Sequence, residues 1–186
     1  MAGRKAVVSV WDKTGIPELA AALHRHGFEI LSTSKTAQVI EESGVPVTQI
    51  SAYTGAPEIL GGRVKTLHPR IAGGILTKRE EGLVEPIDIV VCNLYPFRDG
   101  LSRNASHAEL VELIDIGGVT LLRAAAKNHA HVAAVPGPEF YPELIAELDR
   151  SGDVGEAMRL RLARRAFEIT SEYDRTIAEY LSSLSA

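Results

Sequence analysis

Lys5-Ala6-Val7-Val8-Ser9-Val10 is the run on which the fold turns, together with Phe28-Glu29-Ile30-Leu31 and Val45-Pro46-Val47-Thr48-Gln49-Ile50 downstream of it. Each is short, apolar and rich in β-branched residues, as buried strands are. Between the first two, Ile16, Leu19, Ala20 and Leu23 recur at helical spacing, with Pro17 in the first turn and Gly27 as the stop. Thr36–Ser43 makes a shorter helix that ends at Gly44. Strand, helix, strand, helix, strand within fifty residues predicts an α/β fold with a mostly parallel central sheet flanked by helices.

Downstream, Ile71–Leu76 and Ile87–Leu94 read as further strands, the second halted by Tyr95-Pro96-Phe97. Ser106–Leu113 and Thr120–Lys127 read as helices, His131–Val135 as a strand and Pro138–Asp149 as a helix. From Glu156 to Leu184 the apolar positions Leu162, Ala166, Ile169, Tyr173, Ile177, Tyr180 and Leu184 step by three or four. That pattern predicts one long amphipathic C-terminal helix, or two with a bend. No repeat, low-complexity tract or linker interrupts the chain, so residues 1–186 read as one domain.

The 186 residues are 45% hydrophobic and 24% charged, with a net charge of −4, which points to a folded protein and gives no global attraction to nucleic acid or an anionic membrane. Any anion site must then be a local basic cluster. The single cysteine, Cys92, lies in an apolar run and reads as a buried thiol in a reducing, cytoplasmic setting. The N-terminus reads as a first strand and not a signal peptide, and no apolar run approaches the roughly 18 residues that a membrane-spanning helix needs.

Ligands of open parallel sheets gather outside the carboxyl ends of the strands. Three loops are candidates: Trp11-Asp12-Lys13-Thr14-Gly15, Ser32-Thr33-Ser34-Lys35-Thr36, and Gly61-Gly62-Arg63-Val64-Lys65-Thr66. Each joins a cation to small or hydroxyl residues, and the first two open helices, whose backbone N–H groups suit a phosphate. Neither Lys-Thr pair completes a P-loop, and no GxGxxG follows a strand, so NTPase and dinucleotide readings are unsupported. His24, His26, His68, His107, His129 and His131 have no ligand spacing for a metal. Asp115 before Gly117-Gly118, with Lys127 later on the same predicted helix, offers a carboxylate, free amides and an ammonium. Read alone, Asp115 is a helix cap and Lys127 a favourable charge at a helix C-terminus.

Taken together, Ser9-Val10-x-Asp12-Lys13-Thr14-Gly15, the segment Gly62–Pro69 (GRVKTLHP), Asn93–Phe97 (NLYPF), Asp115–His129 (DIGGVTLLRAAAKNH), Ala166-Phe167 and Tyr173-Asp174 resemble the cyclohydrolase domain of bifunctional purine-biosynthesis enzymes. These enzymes join AICAR formyltransferase to IMP cyclohydrolase. The resemblance implies a methylglyoxal-synthase-like fold, a homodimer, and closure of formyl-AICAR to IMP with loss of water, using no metal or organic cofactor. It implies Lys65, Tyr95, Asp115 and Lys127 as the catalytic group. Lys13, Thr14, Thr33, Ser34, Lys35, Thr36, Arg63, Thr66, Asn93, Gly117 and Gly118 would hold phosphate, ribose or base. The formyltransferase portion has no counterpart here, so a separate AICAR formyltransferase is expected to supply the substrate. Two positions depart from the family pattern: Trp11 replaces a serine, and Ser34-Lys35 replace two glycines. A non-catalytic purine-nucleotide-binding domain, or an enzyme acting on a related nucleotide in specialised metabolism, are the alternative readings.

Overall fold

A computed structural model describes residues 3–80 and 82–184. Five strands, β1 (Arg4–Val8), β2 (Phe28–Ser32), β3 (Thr48–Gln49), β4 (Ile89–Val91) and β5 (Ala133–Val135), form one sheet in the order β3-β2-β1-β4-β5. Every neighbouring pair is parallel, with Ala6 opposite Ile30 and Ile89, and Ile89 in turn opposite Ala133. Strand order reverses at β1, so the space above the carboxyl ends of β1, β2 and β4 is the natural ligand crevice.

The strand side chains divide by alternation, and each face is covered. Ala6, Val8, Ile30, Ile89, Val91, Ala133 and Val135 pack with Ile16, Leu19 and Leu23 of α1 (Ile16–Arg25) and with Leu144 and Leu148 of α8 (Tyr141–Ser151). Val7, Leu31, Val90 and Ala134 face the other way. They meet Ile50 and Tyr53 of α3 (Ile50–Thr54), Ile71 and Ile75 of α4 (Pro69–Leu76), and Leu121, Leu122, Ala125 and Ala126 of α7 (Gly117–Lys127). Burial on both sides explains why these strands read as continuous apolar runs.

The remaining helices are α2 (Ser34–Glu42), α5 (Phe97–Ser102), α6 (His107–Glu112) and α9 (Glu156–Ser183). The tail is one continuous helix and not two. Its Met158 and Leu162 join the first cluster, and its Ala163 and Ala166 join the second. Helix α9 therefore packs along β5 and α7 and shields the β5 edge.

Two expectations are corrected. Ile71–Leu76 is helix, not strand: His68 Nδ1 accepts from the Arg70 amide at 3.2 Å and Pro69 starts the first turn. A six-residue apolar run carries too little periodicity to separate a buried helix from a strand. Gly74 fits there because a Cβ would lie 2.8 Å from the Glu85 carbonyl oxygen. Likewise Val45–Ile50 yields only Thr48–Gln49 as strand before α3 begins. Among the described residues, no helix is long and apolar enough to cross a membrane.

Candidate active site

Above the carboxyl ends of β1, β2 and β4 lies a cleft of about 650 Å³. Its floor is made by Ser9–Trp11 after β1, Thr33–Thr36 after β2, and Cys92, Asn93 and Tyr95 after β4; the loop carrying Glu58 and Gly61–Thr66 and the entry to α7 complete the wall. The 61–66 loop follows a tight turn and not a strand, yet it reaches the same cleft. Leu60, Gly61 and Gly62 take φ of 54°, 64° and 89° in succession, which turns the chain back on itself between Ile59 and Val64.

One end of the cleft is cationic. Lys13, Lys35 and Lys65 come from three different loops, and burial together with the charges of Lys35 and Lys65 holds the Lys13 ammonium below the usual lysine range. Lys13 Nζ donates to the carbonyls of Val10 (3.1 Å) and Trp11 (2.8 Å), which fixes its position. The first turn of α2 opens here, with Thr33 as its N-cap residue. Ser34 begins that turn at φ 30°, a left-handed value where a glycine would carry no Cβ penalty. This is the local consequence of the Ser34 departure. The hydroxyl of Ser34 donates to Glu58 Oε1 at 2.5 Å, so a carboxylate of this chain rests at the helix N-terminus, where an anion is favoured. Lys65 and Glu58 both border Gly62: a Cβ placed there would lie 3.4 Å from Lys65 Nζ and 3.7 Å from Glu58 Oε2.

The other end carries acid–base groups. Asp115 sits just before α7; its Oδ1 accepts from the Gly118 amide at 2.7 Å. Its own amide donates to the Tyr173 hydroxyl (2.9 Å), which in turn donates to the Leu113 carbonyl (2.5 Å). Burial raises the Asp115 carboxyl above the usual carboxylate range, and the Gly118 and Tyr95 amides and Lys65 moderate the rise. Burial and the Asp115 charge likewise push the Tyr95 phenol up, so it stays a proton donor at neutral pH. Gly117 and Gly118 are required by space: a Cβ would lie 2.8 Å from Thr66 Oγ1 at the first and 2.5 Å from Asp115 Oδ2 at the second.

The cleft thus gathers Lys65, Tyr95 and Asp115, and with them Lys13, Thr33, Ser34, Lys35, Thr36, Arg63, Thr66, Asn93, Gly117 and Gly118. Two expected residues are not brought in. Lys127 is exposed at the far end of α7, ten residues beyond Gly117 and so about 15 Å along the helix axis, where its charge suits the helix C-terminus. Thr14 is exposed, and its amide and hydroxyl both donate to Asp12 Oδ1, at 2.9 and 2.7 Å.

Three others serve the frame as well as the cleft. Asn93 Oδ1 accepts from the Trp11 and Asp12 amides (2.7 and 2.9 Å) while its Nδ2 donates to the Asp12 carbonyl (2.8 Å), so it clamps the β1 loop. Thr36 Oγ1 donates to the Val10 carbonyl at 3.1 Å, and Arg63 pairs with Glu112 at the rim. Sequence reading missed Glu58 and the Tyr173 tie to Asp115. Glu58 lies in an irregular loop with no periodic signal, whereas Tyr173 stands in a recognised motif whose partner only the packing of α9 reveals. Among the described residues, no group of three or more histidine, cysteine, aspartate or glutamate side chains converges as a metal site would.

A doubly covered parallel sheet with a basic cleft at its switch point defines an α/β protein built to hold an anionic ligand. Residues 15–120 match the MGS-like domain family and residues 125–186 match the AICARFT/IMPCHase bienzyme family, and the chain belongs to the MGS-like domain family. The bifunctional purine biosynthesis protein PurH of Thermosynechococcus vestitus is 50% identical over 195 residues, covering 99% of this chain and 38% of that protein. PurH of Sorangium cellulosum is 50% identical over 189 residues, covering 97% of this chain and 36% of its own length. The chain thus spans under two-fifths of these relatives. The crystal structure of ForH superposes with a TM-score of 0.83 at 34% identity, covering 96% of this chain and 97% of that one.

Proposed function

We propose that this chain is an IMP cyclohydrolase, closing 5-formamidoimidazole-4-carboxamide ribonucleotide to IMP with release of water. The observation that carries the reading is the meeting of Lys65, Tyr95 and Asp115 in a cleft whose other end carries Lys13, Lys35 and the first turn of α2. The likeness to PurH proteins, whose printed names place them in purine biosynthesis, supports the same substrate class.

In the reaction the carboxamide nitrogen attacks the formyl carbon. A carbon–nitrogen bond forms, the attacking nitrogen gives up one of its two protons and the formamido nitrogen gives up its own as the ring C=N bond forms, and the former formyl oxygen leaves as water. A carboxamide is a poor nucleophile, so holding it against the formyl group in a fixed pose supplies part of the acceleration. Lys65 stabilises negative charge developing on oxygen. Asp115, more basic than an ordinary carboxylate, accepts a proton from nitrogen, and the Tyr95 hydroxyl protonates the departing oxygen. The phosphate takes the end formed by Lys13, Lys35 and the first turn of α2, displacing the Glu58 carboxylate. Thr33, Thr36, Thr66 and Arg63 border phosphate and ribose. Lys127 takes no part in this cleft, and no step calls on a metal or organic cofactor.

The same proposal takes residues 1–186 as one catalytic unit that works in the cytoplasm as a homodimer on the product of an AICAR formyltransferase. Large apolar side chains left exposed near the cleft, Ile59, Leu60 and Ile116, support self-association. Mixing the purified protein with formyl-AICAR and following IMP spectroscopically tests the reading. Formation far above the uncatalysed rate is expected. IMP binding without turnover would replace it with a nucleotide-binding role, and turnover of only another imidazole nucleotide would redirect it to that substrate.

A further inference from the structure

We infer that Trp11 is the platform on which the heterocycle of the ligand stacks, making it a specificity-determining residue for flat imidazole- or purine-type rings. The inference rests on the ribonucleotide reading above. Trp11 is the only tryptophan of the chain, and it is 50% exposed although it lines the cleft. A half-exposed indole in the wall of a ligand cleft leaves a large aromatic surface without a covering partner. Its ring lies against that of Tyr95, with centroids 5.1 Å apart and planes inclined at 60°, so the two form an aromatic corner beside the acid–base groups.

The backbone beneath the indole is held at both ends. The Trp11 amide donates to Asn93 Oδ1 at 2.7 Å and its carbonyl accepts from Lys13 Nζ at 2.8 Å. With its backbone fixed and its ring resting against Tyr95, the indole has less freedom to lose when a ligand settles on it. Position supports the same assignment. Lys35 and the first turn of α2 follow β2, whereas Tyr95 follows β4, on the other side of β1. Two strand spacings separate these ends by about 10 Å, comparable with the distance between the phosphate and the ring of a nucleoside monophosphate. A ligand that puts its phosphate at Lys35 and the first turn of α2 therefore brings its ring toward Tyr95, against which the Trp11 indole lies.

Calorimetric titration of the wild type, Trp11→Ala and Trp11→Phe with IMP and with ribose 5-phosphate tests this, thermal melts confirming that each variant is folded. Stacking on an aromatic side chain predicts that Trp11→Ala weakens IMP binding by about tenfold or more and leaves ribose 5-phosphate within about twofold, with Trp11→Phe restoring most of the loss. IMP, and not ribose 5-phosphate, should quench the emission of the lone indole in the wild type. Equal weakening of both ligands in Trp11→Ala, or loss for neither, would overturn the assignment. The two readings separate cleanly. Absent turnover of formyl-AICAR with Trp11-dependent IMP binding removes the cyclohydrolase and keeps the platform; brisk turnover with Trp11-independent binding does the reverse.

Discussion

Asp115 shows how a single residue is set against its own stability. Its carboxyl is held away from water beside Gly118, and burial raises it above the usual range. A carboxyl raised on folding favours the native state below its unfolded value, and that contribution is lost as pH rises through the native value. Once ionised, the largely buried group is therefore a burden on stability that the proposed proton transfer would require. Replacing it by asparagine keeps an oxygen to accept the Gly118 amide and removes the charge. Asp115→Asn is expected to lose most cyclohydrolase activity while gaining about 1 kcal/mol of stability above the window between the two values, with the gain vanishing in acid. Denaturation of both proteins across pH checks the sign; an equal difference at all pH would show that burial of charge is not the cause.

At the scale of elements, the helix α2 N-terminus is the feature that sequence reading located but misdescribed. Thr33–Thr36 was legible as a turn that follows a strand and opens a helix, a place where an anion is favoured. That Glu58 reaches this turn was not, since the contact spans twenty-four residues and joins the start of α2 to an irregular loop. A unit charge a few ångströms from an incoming phosphate opposes it by about 1 kcal/mol even in water-like surroundings, and by more where water is thinner. Glu58→Gln is expected to tighten inorganic phosphate binding by roughly tenfold, read by calorimetry at constant pH. Weaker binding in the variant would mean that Glu58 holds the ligand and does not compete with it. The same scale explains the α4 correction. Pro69 and His68 signal a helix start, but the apolar residues that follow are too few to declare their period.

For the whole molecule, the parallel sheet was legible because both of its faces are covered, which leaves Ala6–Val8, Ile89–Val91 and Ala133–Val135 apolar throughout. The long C-terminal helix was legible from its period alone. Its service to the site was not: Tyr173 reaches back from α9 to hold the Asp115 backbone, so the outermost layer steadies the carboxylate proposed above for proton transfer. Lys127 carries the complementary lesson. Its motif sits on α7, whose first turn is in the cleft, but a helix of eleven residues carries its last residue away from whatever its first one touches.

Lys65 is the residue proposed to act on formyl-AICAR in this cleft. The direct measurement is the rate of IMP formation by the wild type and by Lys65→Ala, side by side, with matched melting curves. Loss of a donor aimed at developing oxyanion charge predicts a fall of about 10²- to 10³-fold in kcat with the fold intact. An unchanged rate in the folded variant would place the chemistry elsewhere and contradict the account.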